Sequence, residues 1–369
     1  MEDADIDFAA SLDHRETDHI ENNTWVDNPD KFIYGTELST TIEDIVVGRQ
    51  GFKRVGLGLH YNMLFANKSD FVDKVLLNQN ALSGEIKRKL GYEPGNTDGN
   101  DEYQASYKVN GEEIITYGHI KQPSWETDEF KQLIQTVLDA NGFFVLAHPM
   151  LNVSAIDTEI TVENANQRLL PYMVNGMGLE VMYKGLGTAN VKNGYKLWQT
   201  VLKNNYRVYA TAGTDSHDKM STTLEESGKT VSLTSIYVDG KVQEGTYVNY
   251  LKSGNFTAGS VGIQMCVGKT MMGQSCSFQD VNLEIGIGAL HESVFNESHK
   301  YRVDVWSDTG IVYSQSFNAT TREDKMTYLK TKANPNCRYY RVEVFDVTSN
   351  TLIALGNPIW NSAFDNQAQ

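Results

Sequence analysis

The sequence is short of positive charge, of cysteine and of long apolar runs, and each shortage argues against a class of function. Basic residues number 32 against 47 acidic ones, for a net charge of −15. A surface of that sign repels a phosphate backbone, so the expected partner is a small polar or ester substrate and not nucleic acid. The three cysteines, Cys266, Cys276 and Cys337, include no C-x-x-C pair, which argues against a disulfide framework and a thiolate zinc site. Cys266 and Cys276 would pair only if they faced each other across a hairpin, and buried free thiols are the expectation. No apolar run approaches the ~20 residues that cross a bilayer. The acidic opening Met1-Glu2-Asp3-Ala4-Asp5 has neither the basic nor the apolar region of an export signal.

What is present fits two domains, as 369 residues suggest. Up to about residue 260, helical stretches (69–90, 128–141, 161–175, 190–205, 244–253) alternate with strand-like ones (31–36, 54–60, 143–147, 178–182, 207–212, 231–238). This alternation predicts an α/β fold with a mainly parallel sheet. Residues 66–130 are long for a connection and read as an insertion at the barrel mouth. From 261 to 369 the pattern changes to short alternating runs, such as Arg302-Val303-Asp304-Val305-Trp306 and Arg341-Val342-Glu343-Val344-Phe345. That predicts an antiparallel β-sandwich, a separate unit supplying no catalytic residue.

The chemistry sits at the ends of apolar runs. Ile6 to Leu12 leads into Asp13-His14, Phe32 to Thr36 into Glu37, Phe143 to Ala147 into His148, and Arg207 to Ala212 into Gly213-Thr214-Asp215-Ser216-His217. On an extended backbone Asp215 and His217, two apart, point the same way. Carboxylates and imidazoles delivered by strand ends are how α/β barrels assemble metal sites.

In order, Asp13-His14, Gly35-Thr36-Glu37, His60-Tyr61-Asn62, His148-Pro149, Gly178-Leu179-Glu180-Val181 and Asp215-Ser216-His217 resemble the PHP (polymerase and histidinol phosphatase) superfamily over roughly residues 5–260. Tyr339 to Val344 and Gly356-Asn357-Pro358-Ile359-Trp360 look like the β-domain of its carbaryl-hydrolase-like branch. The resemblance implies a distorted seven-stranded β/α barrel followed by the sandwich, with domains at 1–260 and 261–369. It implies one to three divalent ions (zinc, manganese or iron) held by His14, Glu37, His60, His148, Asp215 and His217, with Asp13 orienting His14. Arg15, His19 and Lys184 lie near these ligands in sequence and are candidates to stabilise developing charge. No nucleophilic Ser, Cys or Lys stands out, so the expected reaction is hydrolysis of a phosphoester or a carboxyl or carbamate ester by metal-activated water.

The family's opening His-x-His strand is missing: no His-x-His occurs. On the family pattern only Glu37, His60 and His148 form a complete ligand set. The chain is therefore expected to be an N-terminally incomplete copy, cytoplasmic as written and extracytoplasmic if a leader is lost. The competing expectation is a degenerate barrel that binds a ligand or a cell-envelope partner. Glu180 is expected to pack rather than ligate, and Lys192, Lys196 and Lys203 to form the solvated face of one helix.

Overall fold

The computed structural model describes residues 8–10, 12, 32–41, 45–48, 51–54, 58–71, 74–75, 104–109, 112–117, 127–150, 162–183, 187–215, 232–236, 246–289, 298–318 and 327–367. The chain divides into two compact units, Ile6–Met177 with Val242–Asn249, and Met1–Asp5 with Gly178–Lys241 and Tyr250–Gln369. Segment 178–241 thus belongs with the β-rich C-terminal residues, and neither unit is bounded at residue 260.

The first unit holds β1 (Ala9–Ala10), β2 (Phe32–Thr41), β3 (Ile45–Gly48), β4 (Gly51–Arg54), β5 (Gly58–Phe65), α1 (Lys68–Phe71), β6 (Gln104–Val109), β7 (Glu112–Tyr117), α2 (Thr127–Asp139), β8 (Phe143–Ala147) and α3 (Val162–Leu169). β1 is parallel to β2, whereas β2 with β5 and β5 with β8 are antiparallel. The parallel sheet expected from the sequence is therefore corrected here. Between β2 and β5 lies a β3–β4 hairpin in place of the helical crossover that a parallel pair requires. No closed barrel is found among the described residues.

The strand expected over 54–60 is displaced as well. Leu59, Tyr61, Met63 and Phe65 are all buried at 1% exposure or less. That period of two continues past His60, so β5 starts at Gly58 and His60 lies near its beginning. Tyr61 stacks on Phe144, and Phe130 of α2 meets both rings edge-on. Asp128 and Glu129 suit the positive first turn of α2. The left-handed residue that ends the helix is Asn141, at φ 64°. Gly142 is needed for space: a Cβ there would lie 2.5 Å from the Phe65 ring.

The second unit holds β9 (Gly178–Tyr183), α4 (Ala189–Lys203), β10 (Tyr209–Gly213), β11 (Leu233–Ile236), then α5 (Thr246–Ser253, which runs across the division), and β12 (Phe256–Gly259), β13 (Val261–Val267), β14 (Thr270–Met271), β15 (Ser275–Cys276), β16 (Asn282–Ala289), β17 (Lys300–Ser307), β18 (Gly310–Asn318), β19 (Thr327–Lys332), β20 (Tyr339–Asp346) and β21 (Thr351–Asn361). β9 and β10 are parallel. One sheet runs β11-β12-β21-β20-β17-β18, with β15 beside β21, and a second runs β14-β13-β16-β19. Their inward residues, among them Ile263, Met265, Ile285, Val303, Val305, Val342 and Val344, share one core. This is a sandwich-like pair of largely antiparallel sheets.

Helix α4 is capped by Thr188, whose side chain accepts from the Val191 amide, and it exposes Lys192, Lys196 and Lys203 as expected. Its inner face locks onto the sheet through a buried ionic cluster. Arg341, 2% exposed, pairs with Glu343, 0% exposed, and Tyr195 donates to the same carboxylate. The Tyr195, Trp198 and Trp306 rings lie 5.7, 5.2 and 4.9 Å from the guanidinium. Burial works to lower the Arg341 pKa, but Glu343 and Tyr195 outweigh it and move it upward. Burial, reinforced by Glu343, pushes the Tyr195 phenol up, so it stays a donor. The three cysteines are free; Cys337 is buried, while Cys266 and Cys276 are half-buried.

Candidate metal centre

Glu37 lies in β2 opposite Asn62 of β5, and His60 lies two residues before Asn62. Directly opposed residues of an antiparallel pair share a face, so Glu37, Asn62 and His60 project together. His60 in turn faces Ala147, the last residue of β8. His148 follows Ala147, and strict alternation would send its side chain to the other face. Its backbone instead turns at φ 27°, a left-handed conformation that few side chains adopt. The imidazole consequently meets His60, ring centroids 4.8 Å apart and edge-on. Among the described residues with positive φ other than glycine, all except His148 are Asn or Asp. Backbone strain of this kind gathers at functional sites.

Three donor atoms, from two strands and the turn after a third, converge. His60 Nδ1 is 2.5 Å and His148 Nε2 3.7 Å from Glu37 Oε1, and the set fits within 4.8 Å. Donors on one tetrahedral zinc stand roughly 3.3–3.5 Å apart, given bonds of ~2.0–2.2 Å. The two distances to Glu37 bracket that spacing, and two imidazoles with one carboxylate are a donor set that zinc, manganese and iron(II) accept. The side chains of Glu37 and His148 are 9% and 5% exposed, that of His60 29%. Among the described residues the trio is thus most accessible at His60.

The other expected ligands are placed differently. His14 and His217 lie outside the described residues, as do Arg15, His19 and Lys184. Asp215 belongs to the second unit. Its backbone is left-handed, at φ 45°, and its Oδ2 accepts from the Tyr183 hydroxyl at 2.5 Å. Glu180 is buried on β9, and a Cβ on Gly213 would collide with the Glu180 carboxylate. That residue must be glycine for the acid to lie over the end of β10.

The bond from Tyr183 to Asp215 was not legible in the sequence. It depends on the parallel register that sets Tyr183 against Gly213. β10 is also held from its side away from β9. Asn357 Oδ1 accepts from the Ala210 amide at 2.7 Å, and its amide group donates to the Ala210 and Phe256 carbonyls at 3.4 and 3.2 Å. Two residues on, Thr234 Oγ1 accepts from the Ala212 amide at 3.1 Å and donates to its carbonyl at 2.8 Å. No protein-family model, no curated protein and no solved structure matches this chain.

Proposed function

We propose that this protein is a metal-dependent hydrolase that cleaves a small-molecule ester with water activated at the Glu37–His60–His148 centre. The reading is carried by one observation: two imidazoles and a carboxylate, remote in sequence, meet within 4.8 Å. The PHP-like order of motifs agrees with it. A divalent ion bound there supplies Lewis acidity and lowers the pKa of water toward ~7.

The chain's own residues have separable parts in this scheme. Glu37 contributes the negative charge that attracts a cation. His148, held in place by burial, contributes a neutral nitrogen. His60, the most accessible of the three among the described residues, leaves room for water and for the carbonyl or phosphoryl group of a substrate. Arg15 and His19, of the same unit, are proposed to meet charge developing on that group.

The test is elemental analysis of the purified protein after incubation with zinc, manganese or iron(II), paired with turnover of aryl phosphates and aryl carbamates. Retained metal, chelator-sensitive hydrolysis and loss of both in Glu37→Gln are expected. A chain that holds no metal, or hydrolysis indifferent to chelation, would sink the reading. Metal retained without turnover of any ester would leave a binding module in its place.

A further inference from the structure

Asn62 projects from the face of β5 that carries His60. It lies directly opposite Glu37 of β2, and the Cβ atoms of such a pair stand ~4.5–5.5 Å apart. On its other side it faces Val145 of β8. One row further from the imidazoles, the same face is apolar. Leu64 lies opposite Gly35, where a Cβ would meet both Leu64 and Leu12. Leu64 and Val145 are buried. Asn62 therefore stands where an apolar floor gives way to Glu37 and His60.

Its Oδ1 is buried and, among the described residues, accepts no hydrogen bond. Buried acceptors are nearly always met by a partner, so this one calls for a ligand. Oδ1 is as many bonds from its backbone as Nδ1 of His60, the atom that lies 2.5 Å from Glu37 Oε1. The two side chains thus reach equally far over one face. What Oδ1 joins there is a set of lone pairs, from the Glu37 carboxylate and the His60 and His148 rings. Lone pairs that converge out of water are satisfied by a cation and not by one another.

We infer that Asn62 is a further ligand of the Glu37–His60–His148 centre, giving a neutral oxygen through Oδ1 and favouring manganese(II); this rests on the metal reading proposed above. Zinc sites are built from nitrogen, sulfur and carboxylate oxygen, whereas carbonyl oxygen suits harder ions such as manganese(II). Asn62 is then the residue by which the centre discriminates between ions.

Equilibrium dialysis of the full chain against manganese(II) and against zinc tests this in the wild type, Asn62→Leu and Asn62→Asp, with Glu37→Gln as control for the centre. Leucine keeps the approximate size of asparagine without its oxygen. Asn62→Leu is expected to weaken manganese(II) ~10-fold or more and zinc less than ~3-fold, with unchanged far-UV circular dichroism. Asn62→Asp, which adds a charge, should hold manganese(II) more tightly than the wild type. Manganese(II) bound equally well by Asn62→Leu overturns the inference; if Glu37→Gln still loses the ion, the proposed centre stands without Asn62. Equal weakening of both ions also overturns it, since damaged packing would act on both alike. Should Asn62→Leu not fold, the aspartate variant decides, and manganese(II) held no more tightly there refutes the role. A wild type that takes up neither ion refutes this inference and the proposed centre together.

Discussion

The side chain of Asn357, on β21, stands in for a backbone neighbour of Ala210 on β10, accepting from its amide at 2.7 Å and donating to its carbonyl at 3.4 Å. Asn357 is 0% exposed. Asn357→Ala would therefore leave the Ala210 N–H and C=O and the Phe256 C=O without that partner, in a place where unmade hydrogen bonds cost ~1–3 kcal/mol apiece. We expect a net loss of about 2–4 kcal/mol, read as a lower urea midpoint with an unchanged slope. A loss under about 0.5 kcal/mol, the range of ordinary surface substitutions, would show that the contact contributes little.

Truncation after Gly259 follows from the same packing. The sequence suggests a dispensable β-domain, but in the structure that cut removes Asn357, Glu343 and Arg341, along with Arg338, which bonds Asn205. It also exposes the face of Trp198, which is fully buried. The shortened chain should lose near-UV circular dichroism and aggregate. A soluble, cooperatively unfolding 1–259 fragment would refute this.

His148 combines a ligand position with a left-handed backbone at φ 27°. On the proposed function, His148→Ala and His148→Gly both abolish metal retention. They should differ in stability, because glycine occupies that conformation at no steric cost while alanine does not. His148→Gly is expected to be the more stable of the two by about 1 kcal/mol. Calorimetry of the pair checks the strain independently of the metal.

The Arg341–Glu343–Tyr195 cluster should respond unequally to partial and complete removal. Arg341→Met strands the buried Glu343 carboxylate, a change that costs ~3–5 kcal/mol. Replacing the trio together, Tyr195→Phe with Arg341→Met and Glu343→Leu, removes the desolvated charges as well and should cost less than the single change. Denaturant titration of both variants decides it, and a triple variant less stable than the single one would contradict the account.

Acid should expose the contribution of Asp346. Burial raises its pKa, but hydrogen bonds from Ser349 and the pairing with His299, at 2.6 Å, outweigh burial and hold the carboxyl below its ordinary value. A depressed carboxyl adds stability in full above the unfolded value of ~3.9. That contribution disappears as pH falls through the lower folded value. Asp346→Asn should thus destabilise the protein at pH 7 and make little difference at pH 2, as followed by thermal melts across that range.

How much of this was legible in the sequence can be judged strand by strand. Local pattern sufficed where one face of an element decides its state: β8 spans Phe143–Ala147, as the apolar run ending at His148 implies, and α4 lies within two residues of its expected limits. Residue type put Glu37, His60 and His148 among six candidate ligands, and these three are the ones that meet among the described residues. Strand direction was a different matter. Period-two burial is identical in parallel and antiparallel sheets, so nothing local to Leu59–Phe65 reveals that β5 runs against both β2 and β8. Nor does the motif His148-Pro149 disclose the backbone turn that brings the imidazole back to His60. Asn357 and Ala210 are 147 residues apart, and their contact exists only because β21 and β10 pack together. The residues alone determined which groups are able to bind a cation and which faces must be buried. Register and packing, which arise from contacts between distant segments, decided which of those groups meet.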